Sequence, residues 1–359
     1  MYAAGPTRLA RMTAPHPRRA TMKDVAALAG VSPKTVSNVV TGAFTVSEQT
    51  RERVERAMQQ LDFVPNLSAR GMRTGRSGTI ALALPDLATA YSAELVHSIV
   101  AAAHQRGLAV QVEETALAPE RESELLARAR TRLVDGLILN PVRLEDSVIR
   151  YADQLPPLVV IGEVEQHRAD HVRIDSRRAA ADVTRHVLAQ GARRVAVIGG
   201  DDDPAVATAT SRLRLEGVHD ALREAGIPRD PALEVNRLPW SMTGGADAVA
   251  ELLKRRVAFD AVIAFTDSLA FGALHALSAR GIRVPDDVLL TGFDDVELSS
   301  FTAPSLTTVA FDRDDLADAT LSLLTSRMDD RAMHPRSVVL SHRLRERDST
   351  SRRPDGHRP

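Results

Sequence analysis

The residues best suited to chemistry stand near the start of the chain, in the run Ser32-Pro33-Lys34-Thr35-Val36-Ser37-Asn38. Ser32 is a good helix N-cap and Pro33 suits a first helical turn. If Val36, Val39 and Val40 form the buried face, then Pro33, Lys34, Ser37 and Asn38 face outward. A helix entering the major groove of DNA presents its N-terminal residues to base edges and its dipole to phosphate. Lys34 can donate to guanine acceptors, and Asn38 can pair in bidentate fashion with adenine. Ser32, Thr35 and Ser37 suit phosphate oxygens. The same pattern also fits a plain three-helix unit with a solvated polar face, so the context has to decide between the two.

Three short helices over residues 21–64 must position that run. Thr21 and Asp24 match a capping box, with Asp in place of the usual Glu. Val25, Ala26, Leu28 and Ala29 make an apolar stripe that Gly30 stops. Gly30-Val31-Ser32 then joins two helices at helix-turn-helix spacing, and Gly42 ends the second. Ser47 caps a third, with Val54, Ala57, Met58 and Leu61 inward. Pro65-Asn66 breaks it and offers a new cap; residues 67–73 have room for a helix of about two turns. Residues 74–78, Thr-Gly-Arg-Ser-Gly, read as linker.

From residue 79 the pattern changes. Short apolar runs at 80–84, 108–112, 137–139, 158–161, 195–198, 261–265 and 288–292 predict strands. Amphipathic stretches at 92–106, 120–132, 144–154, 177–190, 212–225, 243–255 and 267–280 predict the helices between them. This alternation implies a parallel, doubly wound α/β architecture, and so many elements imply two similar halves rather than one sheet.

Charge separates the same two regions. The 359 residues hold 46 Lys+Arg and 47 Asp+Glu, a net of −1. Residues 1–76 carry 12 basic against 5 acidic side chains, or +7; the remaining 34 and 42 leave −8. Only three of the basic residues are Lys (Lys23, Lys34, Lys254), an Arg excess that a GC-rich genome produces, so the position of the charge says more than its amount. The basic N-terminal fifth tips the helix-turn-helix toward DNA. With no cysteine there is no disulfide, Cys-ligated zinc or thiol nucleophile. The histidines lack ligand spacing, and there is no dinucleotide or phosphate loop and no Gly-x-Ser-x-Gly elbow, so neither metal nor cofactor nor catalysis is expected. Asp201-Asp202-Asp203 reads as a solvated loop. Without a signal sequence or an apolar run long enough to span a bilayer, a soluble cytoplasmic protein is expected.

The run from Asp24-Val25-Ala26 through Gly30-Val31-Ser32, Thr35-Val36-Ser37, Val46-Ser47, Thr50-Arg51 and Leu61-Asp62-Phe63-Val64-Pro65-Asn66 to Ala69-Arg70 resembles the headpiece of the lactose-repressor/galactose-repressor (LacI) family. The resemblance continues through Asp135-Gly136, residues 212–217, Gly292-Phe293-Asp294-Asp295 and residues 304–309, and closes at Arg347-Asp348-Ser349-Thr350. It implies a homodimeric regulator that binds pseudo-palindromic operator DNA through Ser32, Pro33, Lys34, Thr35, Ser37 and Asn38. Its hinge helix would bring Asn66, Ala69, Arg70, Met72 and Arg73 to the minor groove. Met72 falls where most members carry a leucine wedge, and a methionine can also unstack a base step. Gly71 departs from the family and costs ~1 kcal/mol of helix propensity.

The resemblance also implies a sensor core like type I periplasmic sugar-binding proteins. Arg214 matches the family arginine that binds effector hydroxyls or carboxylates, and Asp294 the aspartate opposite; such a pair suits a polyol. Trp240 falls where some members stack a sugar ring, or is a core tryptophan. Tyr91 walls the pocket, or packs the core. Asp267 and Glu163 complete the expected effector set, while Thr266 replaces a polar residue common in the family. The expected boundaries are a disordered basic tail to residue 20, a headpiece over 21–65, a hinge and linker over 66–78, and a core over 79–348. Within the core, 79–176 is grouped with 310–335, and 177–309 with 336–348, before a disordered tail at 349–359. The expected function is a repressor relieved by a sugar. The rival readings are a solute-binding protein of the same core fold and a doubly wound α/β enzyme.

Overall fold

The computed structural model describes residues 20–40, 46–63 and 76–352, apart from 117, 132, 142, 144–146, 152–153, 201–206 and 237–238. The chain divides into two units after Thr74.

The first unit holds α1 (Met22–Ala29), α2 (Pro33–Val40) and α3 (Glu48–Gln60). The capping box forms: the Asp24 carboxylate accepts from the Thr21 N–H at 2.8 Å, and the Thr21 hydroxyl accepts from the Asp24 N–H. Gly30 ends α1 at φ +64°, a left-handed conformation that costs glycine little. The Ser32 hydroxyl accepts from the Thr35 N–H at 3.1 Å and so caps α2. Val25, Ala26, Ala29, Val36, Val39, Val54 and Ala57 are buried together, with Met58 and Leu61 at the margin. Ser47 precedes α3 in extended conformation, but its hydroxyl donates to the Thr50 hydroxyl rather than capping the backbone. Asn66, Ala69, Arg70, Met72 and Arg73 lie outside the described residues, as do Gly42 and Asp201 to Asp203.

The second unit carries two six-stranded sheets. The first sheet is built from β1 (Thr79–Leu84), β2 (Ala109–Glu114), β3 (Gly136–Leu139), β4 (Leu158–Ile161), β5 (Asp170–Ile174) and β11 (Ser337–Leu340), in the order β11-β5-β4-β3-β1-β2. The second contains β6 (Val195–Ile198), β7 (Glu234–Val235), β8 (Ala261–Ala264), β9 (Leu289–Phe293), β10 (Thr307–Phe311) and β12 (His342–Arg345), in the order β12-β10-β9-β8-β6-β7. Among the described residues every pairing is parallel except that of β12 with β10. The helices are α4 (Ala90–Gln105), α5 (Pro119–Arg130), α6 (Val148–Tyr151), α7 (Ser176–Ala189), α8 (Ala209–Glu224), α9 (Met242–Lys254), α10 (Asp267–Ser278) and α11 (Arg313–Asp329). Parallel strands covered by helices are buried on both faces, which is why β1, β3, β4, β6 and β8 are nearly pure Val, Ile, Leu and Ala.

Several expectations change. The expected second half included 336–348, yet β11 pairs with β5 of the first sheet; the chain crosses between halves at Ser341, so one short segment serves both. The segment expected as a disordered tail from 349 starts too early. Ser349 and Thr350 are buried; the Ser349 hydroxyl donates to the Leu290 carbonyl at 2.6 Å and accepts from the Thr307 N–H at 2.8 Å. Residues 76–78, expected as linker, are tied to the core: the Ser77 and Gly78 N–H groups donate to the Asp135 carboxylate at 2.6 and 2.7 Å. The helix expected over 144–154 spans Val148–Tyr151 among the described residues. The apolar runs do not predict strand β5, because Asp170, His171 and Arg173 interrupt it. Asp170 is buried there because Arg327 grips it through two nitrogens, each at 3.1 Å.

Candidate functional site

The helix-turn-helix places its predicted contact residues on one side of α2. Ser32, Pro33 and Lys34 are exposed, and Thr35, Ser37 and Asn38 are half-buried, while Val36 and Val39 point inward. The N-terminal turn of α2 thus presents the cation and the small hydroxyls where its dipole is positive, an arrangement made for anions.

In the core, four of the expected effector residues converge at the C-terminal ends of parallel strands, where doubly wound folds bind ligands. Glu163 follows β4, and Tyr91 lies on α4 after β1; both belong to the first sheet's subdomain. Arg214 lies on α8 after β6, and Asp294 follows β9; both belong to the second's. Arg214 is buried, with its Nε donating to the Ser176 hydroxyl at 3.3 Å, its Nη1 donating to the Phe265 carbonyl, and its guanidinium 3.4 Å over the Phe293 ring. Burial lowers its pKa, opposed by the charges of Asp294 and Glu163. Burial likewise pushes the Asp294 carboxyl well above the usual carboxylate range and raises Glu163, and Arg214 opposes both shifts. Tyr91 is raised for the same reason, and its ring stands edge-on to Phe311 at 6.2 Å. Carboxyl groups from the two subdomains therefore lie within electrostatic reach of one buried guanidinium, whose hydrogen bonds go to Ser176 and the Phe265 carbonyl.

The site's backbone is shaped to hold these groups. Asp294 and Asp295 adopt φ +114° and +53°, conformations that disfavour side chains and that surrounding bonds must enforce. Arg313 donates to the Asp294 carbonyl at 2.6 Å and the Asp295 carbonyl at 2.9 Å, and Arg347 to the Asp295 carboxylate at 2.6 Å. Gly162, at φ +92°, turns the chain into Glu163, and its carbonyl accepts from His171 Nε2 at 2.7 Å. Among the described residues, Glu163 Oε2 and Thr291 Oγ1 are the buried side-chain polar atoms without a hydrogen-bond partner. An acceptor left this way costs stability unless a donor arrives.

Trp240 adjoins the cluster through Phe265, with ring centroids 6.3 Å apart, and its Nε1 donates to Asn236 at 3.3 Å. Asp267 has a different place. It is wholly buried, and its oxygens accept from the Val296 N–H (2.9 Å) and the Ser299 and Thr308 hydroxyls (2.7 and 2.6 Å). Burial raises its pKa to about 6, opposed by those bonds. Both its oxygens are thus taken up within the protein, by the loop after Asp294 and by Thr308 of β10. Ser176, Phe265 and Arg313 carry no mark in the sequence, and Phe293 stands out only within the run Gly292-Phe293-Asp294-Asp295; the tertiary structure brings all four to the site. A separate surface cavity of about 300 Å³ lies between α7 and α8, lined by Arg177, Arg178, Arg185 and Arg223 with Asp220 and Glu224. Arg177 and Arg223 pair with Asp220, and Arg185 with Glu224.

Comparison with known proteins agrees with both units. The family of bacterial regulatory proteins, lacI family, matches residues 21–66, and a periplasmic binding protein-like domain matches residues 184–350. The HTH-type transcriptional repressor CytR of Escherichia coli (strain K12) is 31% identical over 92% of this chain and 96% of its own. A transcriptional regulator CelR solved as a cellobiose complex is 30% identical, covers 92% of this chain and 100% of its own, and superposes with a TM-score of 0.68. The lac repressor dimer bound to operator and the anti-inducer ONPF is 28% identical over 93% and 99% of the two chains, with a TM-score of 0.79.

Proposed function

This chain belongs to the lacI family of bacterial regulatory proteins, and we propose that it is a cytoplasmic, homodimeric repressor whose hold on operator DNA is released by a sugar. Two headpieces bind half-sites of a pseudo-palindromic operator about one helical turn apart. Lys34 and Asn38 read bases, Pro33 contributes shape, and Ser32, Thr35 and Ser37 take phosphate. Residues 66–73 supply the hinge, with Asn66, Ala69, Arg70, Met72 and Arg73 at the minor groove.

One observation carries the sensing half. Glu163 of one subdomain and Asp294 of the other are buried within electrostatic reach of Arg214, and a buried oxygen of Glu163 has no donor. A ring bearing several hydroxyls supplies donors to both carboxylates and an acceptor to the guanidinium at once. Burial has already shifted Glu163 and Asp294 toward their neutral forms, so the site disfavours the added negative charge of a phosphorylated or carboxylated ligand. The effector is therefore an uncharged polyol, with Trp240 and Tyr91 as its apolar walls. That the relatives named above include a cellobiose complex supports a sugar.

A thermal-shift screen of mono- and disaccharides tests this, because a ligand at 100 times its Kd adds ~2.7 kcal/mol to the state it binds. The expected result is a rise in Tm with at least one neutral sugar and none with its phosphate ester, the sugar being recovered unchanged. Stabilisation by phosphate esters alone would refute the charge reading. Turnover of the sugar would restore the enzyme reading.

A further inference from the structure

Beside the effector cluster runs a second charged network that the sensing reading does not use. Glu94, on α4 of the first subdomain, accepts from the Glu297 N–H of the second at 2.9 Å through Oε1. Its Oε2 pairs with Arg313 Nη2 at 2.5 Å. Arg313, in turn, grips the Asp294 and Asp295 carbonyls. Both side chains are mostly buried, with 28% and 18% exposure, so water screens the pair weakly.

The two residues are fixed to the same body. Helix α11, which begins at Arg313, packs on α4, β3, β4 and β5. Ser98 of α4 donates to Asp314 at 2.7 Å, and Arg106, which caps the end of α4, pairs with Asp318 at 3.2 Å. Leu316, Leu321 and Leu324 bury its inner face. The far end of α11, ~25 Å away by helical rise, receives Arg76, which donates to the Met328 carbonyl and the Asp329 carboxylate at 2.8 Å each. The chain therefore enters the core on the same rigid body that carries Glu94 and Arg313. The loop these residues grip belongs to the other body and bears Asp294.

We propose that Glu94 and Arg313 are positioning residues that form a latch between the two subdomains: they fix Asp294 in its strained conformation and hold the angle between the two bodies. The proposal rests on the effector reading for its purpose. A ligand that draws on Asp294 moves the carbonyls Arg313 holds, and the latch converts that movement into a change of angle between the bodies.

The test uses spin-label distances in the full-length protein without effector or operator. The chain has no cysteine, so Glu124→Cys on α5 and Lys254→Cys on α9, both exposed, give one label on each subdomain. Doubly labelled chain is mixed with excess unlabelled chain so that only distances within one chain are read. The expected result is one narrow distance in the parent. Glu94→Gln and Arg313→Gln should each shift that distance by more than its width or add a second population, and Arg313→Lys should restore part of the parent distribution. An unchanged distribution in both Gln variants overturns the latch, and so does a lowered Tm without a new distance, which would mark an ordinary stabilising pair. If Arg313→Gln fails to fold, Glu94→Gln decides alone. Failure here leaves the sugar reading standing, since that fails only in the ligand screen.

Discussion

The headpiece and the sensor core handle charge in opposite ways. Among the described residues of the headpiece no charged side chain is buried; its core is aliphatic, and Lys34 stands in water at the start of α2. In the core, Glu163, Arg214, Asp267 and Asp294 are all buried within one neighbourhood. Exposed charge attracts a polyanion from a distance at little folding cost, and salt screens it. Buried charge is costly to fold, is screened little, and rewards a ligand that completes its hydrogen bonds. The two regions are therefore built for a long charged partner and for a small neutral one.

The contrast is most open to attack through salt. Between 50 and 200 mM salt, operator affinity should fall by roughly 10³-fold or more, as expected for six to ten phosphate contacts. Sugar affinity should hardly move over the same range. Parallel filter-binding and calorimetric titrations would show this, and equal salt slopes would erase the distinction.

The next largest effect belongs to Arg214→Ala. It strands two buried carboxylates, which should cost about 3–5 kcal/mol of stability in a denaturant melt. Sugar response should be lost while the folded fraction still binds operator. A normal response to sugar would remove Arg214 from the site. On the headpiece side, Asn38→Ala should weaken operator binding by ~1–3 kcal/mol and relax preference at one base pair. Equal losses on matched and mismatched operators would show that Asn38 reads no base.

The smallest effect is one of pH. Asp267 ionises near 4 when unfolded but at about 6 when folded, so the folded state holds its proton more tightly. Its contribution to stability is therefore greatest at low pH and declines as pH rises from about 4 to about 6, by on the order of 1–3 kcal/mol. Comparing melts of the parent and Asp267→Asn across that window should show the parent losing ground as pH rises. A constant difference would contradict the assignment.

How far the sequence reached depended on how local the physics was. The Thr21–Asp24 capping box, the Gly30 turn and the valine face of α2 are settled within a few residues, and the structure reproduces them. The β/α alternation was equally legible, because strands buried on both faces must be apolar. Elements whose partners lie far along the chain were not. Strand β5 hides behind Asp170, which is tolerable because Arg327 and Arg336, 157 and 166 residues later, pair with it. Helix α11 has no clean apolar stripe because it also buries Thr320 and Arg327, so its period was missed. At the site, Arg214, Asp294, Glu163 and Tyr91 were anticipated through resemblance, and the structure brings them together. The internal role of Asp267 and the grip of Arg313 on two carbonyls depend on tertiary neighbours that spacing does not reveal.

Reciprocal linkage tests the central claim most directly. With a sugar found in the thermal screen, operator Kd is measured with and without saturating sugar, and sugar Kd with and without saturating operator. A single coupling should weaken both by the same factor, about 5- to 150-fold for a coupling of ~1–3 kcal/mol. A sugar that binds while operator affinity stays the same would contradict the account, for the core would then bind a ligand without reporting it to the headpiece.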